Sequence, residues 1–151
     1  MGKGAFVFDC IRTPRGKRRK GALNEITPIN LLAGLMREMK TRNQLETSEV
    51  DDVIIGCVTP VGEQGSNIAK MAVQYADWDL DVPAMQVNRF CATGLETINL
   101  AAMKVLSGWE NLIVAGGVEC MSRVSISGSS GSYYSALAEK FGFVFEYPHA
   151  Q

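Results

Sequence analysis

Apolar and polar positions alternate along the chain in blocks that predict strands and helices in turn. Four short apolar runs, at residues 4–10, 53–58, 84–88 and 111–117, are typical of strands. The run 53–58 is apolar throughout, as expected of a strand buried on both faces. The resulting order β-α-β-α-β-α-β predicts an α/β fold, with a mainly parallel sheet and helices on both of its faces.

Three amphipathic stretches between these runs predict helices. Thr27 and Pro28 form a typical helix start, a capping residue followed by proline, and Ser107 with Gly108 is a typical helix end. Apolar residues at helical spacing are expected to form the inward faces. They are Leu32, Leu35, Met36 and Met39 in the first helix, Ile68, Met71, Ala72 and Tyr75 in the second, and Leu95, Ile98, Ala102 and Val105 in the third.

The pattern changes after Ser122. Residues 125–132 are rich in Gly and Ser and predict a mobile loop, residues 135–141 predict a short helix, and residues 143–151 have no clear period. We therefore expect an α/β domain over residues 1–122, followed over residues 123–151 by the start of a loop region and a divergent tail.

Composition and charge narrow the class of protein. The chain has 151 residues, 46% of them apolar, with a net charge of −1. No apolar run reaches the roughly 18 residues that a membrane span requires, and the N-terminus has no pattern of a signal peptide. These features predict a cytoplasmic location and no membrane partner.

The segment 12–20, RTPRGKRRK, departs from this even charge balance. It holds six basic residues and no acidic one. Two interpretations are a patch that binds phosphate or nucleic acid and a solvated loop. The lack of interleaved aromatic residues for base stacking favours the solvated loop, so no nucleic-acid partner is expected.

The four cysteines are Cys10, Cys57, Cys91 and Cys120. They form no C-x-x-C pair and no zinc-ligand spacing, so we expect reduced thiols and no metal site. Cys10 and Cys57 lie in apolar runs and are expected in the core.

Cys91 differs from the others because it follows the strand 84–88 at a predicted helix start. Loops at the carboxyl ends of parallel strands carry functional groups, and unpaired N–H groups at a helix start favour a thiolate. The alternative is a small buried residue that faces the sheet. Spacing alone leaves both interpretations open.

Four motifs, in order, resemble the thiolase family, the acyl-CoA:acetyl-CoA C-acyltransferases. Residues 11–17, IRTPRGK, are similar to R-T-P-x-G-K, and residues 53–72 are similar to V-I-I-G…G-x-N-x-A-R-x-A. Residues 88–95, NRFCATGL, are similar to N-R-x-C-x-S-G-L, and residues 114–122, VAGGVECMS, are similar to V-A-G-G-x-E-S-M-S. The resemblance covers about residues 4–122.

The resemblance implies an acyltransferase in which Cys91 attacks an acyl-CoA and carries the acyl group as a thioester. It implies CoA and acyl-CoA as substrates, no tightly bound cofactor, and a homodimer or higher homo-oligomer. A related condensing enzyme would share the fold and the cysteine, but the R-T-P and G-G-x-E-x-M-S motifs favour a thiolase.

The resemblance also implies groups that this chain does not display. In the family, a basic histidine, a second cysteine and an asparagine–histidine oxyanion site lie in a C-terminal domain, and the N-terminal domain has a fifth strand. His149 lies in no family-like motif and is not assigned as a base. We therefore expect the N-terminal part of a thiolase that is inactive alone. The alternative is a non-catalytic remnant that acts only as a dimerisation or interaction module.

Overall fold

A parallel sheet of three strands forms the centre of the computed structural model, which describes residues 4–125 and 139–140. The strands are β1 (Asp52–Gly56), β2 (Ala84–Val87) and β3 (Ile113–Gly117), in the spatial order β2-β1-β3. All pairings are parallel, and Val53 lies opposite Ala84 on one side and Val114 on the other. Parallel pairing places the carboxyl ends of the three strands at one edge of the sheet.

Three helices follow the predicted order: α1 (Pro28–Asn43), α2 (Ile68–Tyr75) and α3 (Thr93–Ser107). The Thr27 side chain caps α1 by accepting a hydrogen bond from the backbone N–H of Asn30. Gly108 ends α3 in the left-handed conformation, with φ of 76°. Both helix signals in the sequence are therefore confirmed.

Alternate residues of β1 face different layers. Val53 and Ile55 pack in the main core with the inner faces of α1 and α2, whereas Gly56 faces α3. Helices therefore cover both faces of the sheet, which confirms the predicted α/β arrangement. The buried apolar residues of the main core are Leu32, Ala33, Met36, Val50, Val53, Ile55, Cys57, Ile68, Ala69, Ala72, Val73, Ala76, Trp78 and Val82.

The strand predicted at residues 4–10 is wrong, because this segment pairs with no other strand among the described residues. The side chains of Phe6, Val7 and Phe8 are exposed, and so is Cys10, which was expected in the core. The segment is tied to the end of α1 through Asp9, which accepts a hydrogen bond from Asn43 and pairs with Arg42 at 3.3 Å. An apolar run becomes a strand only where a neighbouring strand satisfies its backbone groups.

The predicted inner face of α3 is wrong for Leu95 and Ile98, whereas Ala102 and Val105, also predicted there, are half-buried. Leu95 and Ile98 are 64% and 53% exposed, while Thr93 and Thr97 are buried against the sheet. Leu95, Ile98 and Leu106 thus lie away from the sheet. The side towards the sheet includes Thr93, Thr97 and Lys104, which pairs with Asp52 of β1.

In α2, Met71 and Tyr75 were expected to be buried but are exposed. The buried residues are Ile68, Ala69, Ala72 and Val73. The buried stripe therefore includes Ala69 and Val73 and differs from the one that apolar residues at helical spacing predicted.

Several expectations concern residues outside the described ranges. They are the Gly/Ser-rich segment beyond Ser125, the tail 143–151, and most of the helix predicted at 135–141, of which only residues 139–140 are described, as helical. None of the helices found in the described ranges has both the length and the apolar character needed to cross a membrane.

Candidate functional site

Cys91 lies between the end of β2 and the start of α3, at the carboxyl edge of the parallel sheet. Its thiol is free and the residue is exposed. α3 begins at Thr93, so Cys91 precedes the helix by two residues instead of lying in its first turn. Ala92 at the cap position offers no side-chain acceptor, and the backbone N–H groups of Gly94 and Leu95 have no partner within residues 4–125. Unpaired N–H groups of this kind stabilise negative charge near a helix start.

The turn that presents Cys91 has an unusual backbone. Phe90 has φ of 49°, a left-handed conformation that costs a bulky residue about 1–3 kcal/mol. Asn88 holds this turn by accepting a hydrogen bond from the N–H of Phe90 at 2.9 Å. Thr93 Oγ1 accepts from the N–H of Arg89 at 2.7 Å and donates to the carbonyl of Phe90 at 2.6 Å. These bonds hold Cys91 at the tip of a sharp strand-to-helix turn.

Gly56, the last residue of β1, allows the start of α3 to reach the sheet. A Cβ at Gly56 would lie 2.4 Å from Thr93 Cγ2, closer than any real side-chain contact. The absent side chain therefore sets the position of Thr93, and with it the turn that carries Cys91.

A buried amide joins the loops that follow β1 and β3. Gln64 is fully buried and donates through Nε2 to Glu119 Oε1 at 3.0 Å and to the carbonyl of Thr59 at 2.9 Å. Its Oε1 accepts from the backbone N–H of Cys120 at 2.6 Å. The Gln64 amide uses nearly all of its hydrogen-bonding capacity. The loop that follows β1 is therefore fixed relative to the end of β3.

Val58 extends this network to the Cys91 turn. Its N–H donates to Glu119 Oε2 at 2.8 Å, and its carbonyl accepts from Asn88 Nδ2 at 2.9 Å. Side chains from the loops after all three strands are thereby linked across the carboxyl edge of the sheet. Cys91 sits on one of the loops that this network connects.

The other cysteines have different surroundings. Cys57 is buried, and desolvation together with the nearby charge of Glu119 raises the pKa of its thiol to about 11. Cys120 is also buried, with its Sγ 3.5 Å from Ser122 Oγ. Cys10 is exposed, but it ends the unpaired segment 4–10. The expectation that Cys57 lies in the core is confirmed.

Sequence patterns identified Cys91 and the Gly-Gly-x-Glu segment but missed Gly56, Gln64 and Thr93. Gln64 lies in a short 3-10 turn, Gly62–Gln64, where no periodic signal marks a buried side chain. A lone glycine at the end of an apolar run is the signal that could have revealed Gly56. His149, which was not assigned a role, lies outside the described residues. Among those residues, no group of three or more His, Cys, Asp or Glu side chains is placed to hold a metal ion.

Comparison with known proteins gives consistent matches. Residues 5–141 match the family model described as thiolase, N-terminal domain. The chain is 41% identical over 138 residues to a 3-ketoacyl-CoA thiolase of Bacillus subtilis (strain 168), covering 91% of this chain and 35% of that protein. It is 40% identical over 139 residues to the 3-oxoadipyl-CoA/3-oxo-5,6-dehydrosuberyl-CoA thiolase of Escherichia coli (strain K12), covering 91% and 34%.

A solved structure agrees with these matches. The crystal structure of the Bacillus anthracis acetyl-CoA acetyltransferase superimposes with a TM-score of 0.64 and 35% sequence identity, covering 69% of this chain and 26% of that one. This chain spans about a third of the length of the curated relatives described above.

Proposed function

The chain belongs to the thiolase family, and from this premise we propose that Cys91 is the nucleophile that carries an acyl group as a thioester. The substrates proposed are acyl-CoA and CoA. They follow from the names of the relatives, which include a 3-ketoacyl-CoA thiolase and an acetyl-CoA acetyltransferase.

The proposed chemistry has two half-reactions. In the cleavage direction, the Cys91 sulfur attacks the 3-keto carbon, the bond between C2 and C3 breaks, and acetyl-CoA leaves after its C2 gains a proton. The thiol of a free CoA then attacks the enzyme thioester, releasing a shortened acyl-CoA and restoring the Cys91 thiol. The condensation direction is the reverse of these steps, and a covalent intermediate of this kind gives ping-pong kinetics.

The observation that carries the proposal is the position of Cys91. It is an exposed thiol at the carboxyl end of a parallel strand, on a braced turn that leads into a helix start with unpaired N–H groups. Cys57 and Cys120 are buried, which removes them from contact with a large CoA substrate. Cys10 is exposed like Cys91, but it does not lie at the end of a parallel strand or before a helix start.

A nucleophilic thiol also needs a proton acceptor and donors for the oxyanion. Residues 4–125 contain no histidine. We propose that the acceptor and part of the oxyanion site come from the portion of the relatives that this chain does not match. The chain would then supply the acyl-carrying cysteine, and turnover would require the complementary part.

Complementation tests this proposal. The chain is mixed, or produced together, with the C-terminal two thirds of the Bacillus subtilis relative, and cleavage of acetoacetyl-CoA by CoA is followed. We expect activity with the mixture, none with either part alone, and none when Cys91→Ser replaces the native chain. Cys10→Ser is the matched control and should retain activity. An active mixture that contains Cys91→Ser would refute the role of Cys91.

The second candidate function is a non-catalytic module that associates with another copy of this chain. It is favoured by the outward face of α3, where Leu95, Ile98 and Leu106 are exposed in one stripe. Trp109, just beyond the end of the helix, is 80% exposed. A stripe of exposed apolar side chains along one helix is typical of an interface. The same face would serve the catalytic proposal, since a homodimer is expected in both cases.

A further inference from the structure

Phe90, which directly precedes Cys91, combines two features that the fold itself does not require. Its φ of 49° is a left-handed backbone conformation, which is rare for a bulky residue and favours Gly or Asn. Its side chain is 66% exposed, so most of its apolar area is not buried in the described part of the chain. A phenylalanine at this position therefore costs stability and gains little from packing.

The Phe90 backbone is held in this conformation by hydrogen bonds on both sides. Its N–H donates to Asn88 Oδ1 at 2.9 Å. Its carbonyl accepts from Thr93 twice, from the N–H at 3.0 Å and from Oγ1 at 2.6 Å. These bonds use only backbone groups of Phe90, so they would also form with another residue at this position. The turn alone accounts for the backbone conformation but not for the aromatic side chain.

Gly94, three residues after Cys91, shows the same imbalance on the helix side of the turn. It lies in the first turn of α3, where glycine is less favourable than alanine. A Cβ added to Gly94 would meet no atom within 4 Å, so packing does not exclude a side chain there. Cys91 therefore stands between an exposed apolar ring and a stretch of backbone with open space beside it.

Residues that lower stability without adding to the packing are typical of functional positions. Consecutive Cα atoms are about 3.8 Å apart, so the Phe90 ring lies within reach of an acyl chain on the Cys91 sulfur. We propose that Phe90 is a specificity-determining residue whose ring contacts the acyl chain of the Cys91 thioester, and that Gly94 leaves room for that chain.

The acyl groups favoured by this arrangement are apolar and longer than acetyl. Contact with the ring removes apolar area of a longer chain from water, whereas an acetyl group offers little such area. This inference rests on the proposed role of Cys91 and adds to it the class of acyl group.

Competition between two acyl donors tests the selectivity. The chain is mixed with the C-terminal two thirds of the Bacillus subtilis relative and incubated with equal amounts of acetyl-CoA and hexanoyl-CoA. The two thioesters on Cys91 are quantified by mass spectrometry after digestion, and those on the exposed Cys10 give the intrinsic ratio of the two reagents. We expect the hexanoyl-to-acetyl ratio to be several times higher on Cys91 than on Cys10.

Phe90→Asn should lower the ratio on Cys91 about fivefold, because asparagine keeps the turn but offers no apolar surface. Phe90→Leu keeps an apolar side chain and should retain most of the ratio. The melting temperature of Phe90→Asn should rise by a few degrees, since asparagine adopts the left-handed conformation more readily. A purely structural role of the ring would give the opposite result, a lower melting temperature with an unchanged ratio.

Gly94→Ala and Gly34→Ala form a matched pair. Each adds one methyl group to a helix at a place where no atom lies within 4 Å, so neither should lower the melting temperature. Only Gly94→Ala should lower the hexanoyl-to-acetyl ratio on Cys91, because its methyl group takes space beside the acyl chain.

An unchanged ratio in Phe90→Asn would overturn this inference and leave the role of Cys91 in place. A lower melting temperature of that variant would also overturn it, since the ring would then be needed for packing. The same holds if Phe90→Asn prevents the two parts from associating in sedimentation velocity, because the ring would then be a contact between them. If neither reagent acylates Cys91 in the native mixture, the role of Cys91 and this inference fail together.

Discussion

Thr93 rests directly on Gly56, with its Cγ2 at the place where a side chain of Gly56 would begin. This contact joins the end of β1 to the first residue of α3. Since Cys91 stands two residues before Thr93, the contact also fixes how the proposed nucleophile meets the edge of the sheet.

Gly56→Ala is expected to destabilise the chain by about 1–3 kcal/mol, because the new methyl group must displace Thr93 in a tightly packed place. Gly34→Ala is the control. Gly34 lies inside α1 with nothing within 4 Å of an added Cβ, so alanine there should stabilise the helix by about 0.5–1 kcal/mol. Urea unfolding of the three proteins measures both changes. A neutral Gly56→Ala would show that the start of α3 is not held by this contact.

Cysteine labelling should divide the four thiols into two classes. Cys10 and Cys91 are exposed and should react with iodoacetamide in the native chain at pH 8, whereas Cys57 and Cys120 should react only after denaturation. With a pKa near 11, about 1% of Cys57 would be thiolate at pH 9, so raising the pH to 9 should not expose it to labelling. Mass spectrometry of the digested chain reads each site. Native labelling of Cys57 at the rate of Cys10 would contradict the buried network around Gln64.

Gln64→Leu should lower the free energy of unfolding by about 2–4 kcal/mol. Leucine fills a similar volume but leaves Glu119 and the N–H of Cys120 without their buried partner. Gln74→Leu, at an exposed position of α2, is the matched control and should change stability by less than about 0.5 kcal/mol. Equal effects of the two substitutions would show that the Gln64 amide does not stabilise the carboxyl edge of the sheet.

Self-association should depend on the outward face of α3. Leu95→Ser/Ile98→Ser is expected to shift the chain from dimer towards monomer in sedimentation velocity, because it removes exposed apolar area from one stripe. Met71→Ser/Leu80→Ser removes exposed apolar side chains elsewhere and should leave the dimer unchanged. A native chain that is monomeric at high concentration, or a dimer insensitive to both variants, would exclude this face as the interface.

Sequence patterns predicted the α/β class, all three strands of the sheet and all three helices, because each has a strong local signal of periodicity, capping or apolar run. They failed for residues 4–10, since a strand also needs a neighbour and no local pattern reports one. The patterns also failed for Leu95 and Ile98 of α3. Periodicity shows that a helix has an apolar stripe but not which partner the stripe faces.

The candidate site was predicted only in part, as the fold was. The strand-turn-helix context and the family-like motif identified Cys91 as a candidate, and it is at the expected edge of the sheet. Gln64 bonds to Glu119, which lies 55 positions further along the chain, so only the tertiary fold brings the two together. The role of Cys91 itself and the division of the chain at residue 122 stay predictions.

The selectivity of acyl transfer between the two exposed cysteines tests the central claim most directly. The chain is mixed with the C-terminal two thirds of the Bacillus subtilis relative and incubated with acetyl-CoA, and acetyl thioesters on Cys91 and Cys10 are quantified after digestion. The ratio is compared with that for iodoacetamide, which has no CoA group. If Cys91 is the acyl-carrying nucleophile, acetyl-CoA should favour Cys91 over Cys10 severalfold more than iodoacetamide does. An equal ratio for both reagents, or acetylation mainly at Cys10, would contradict the account.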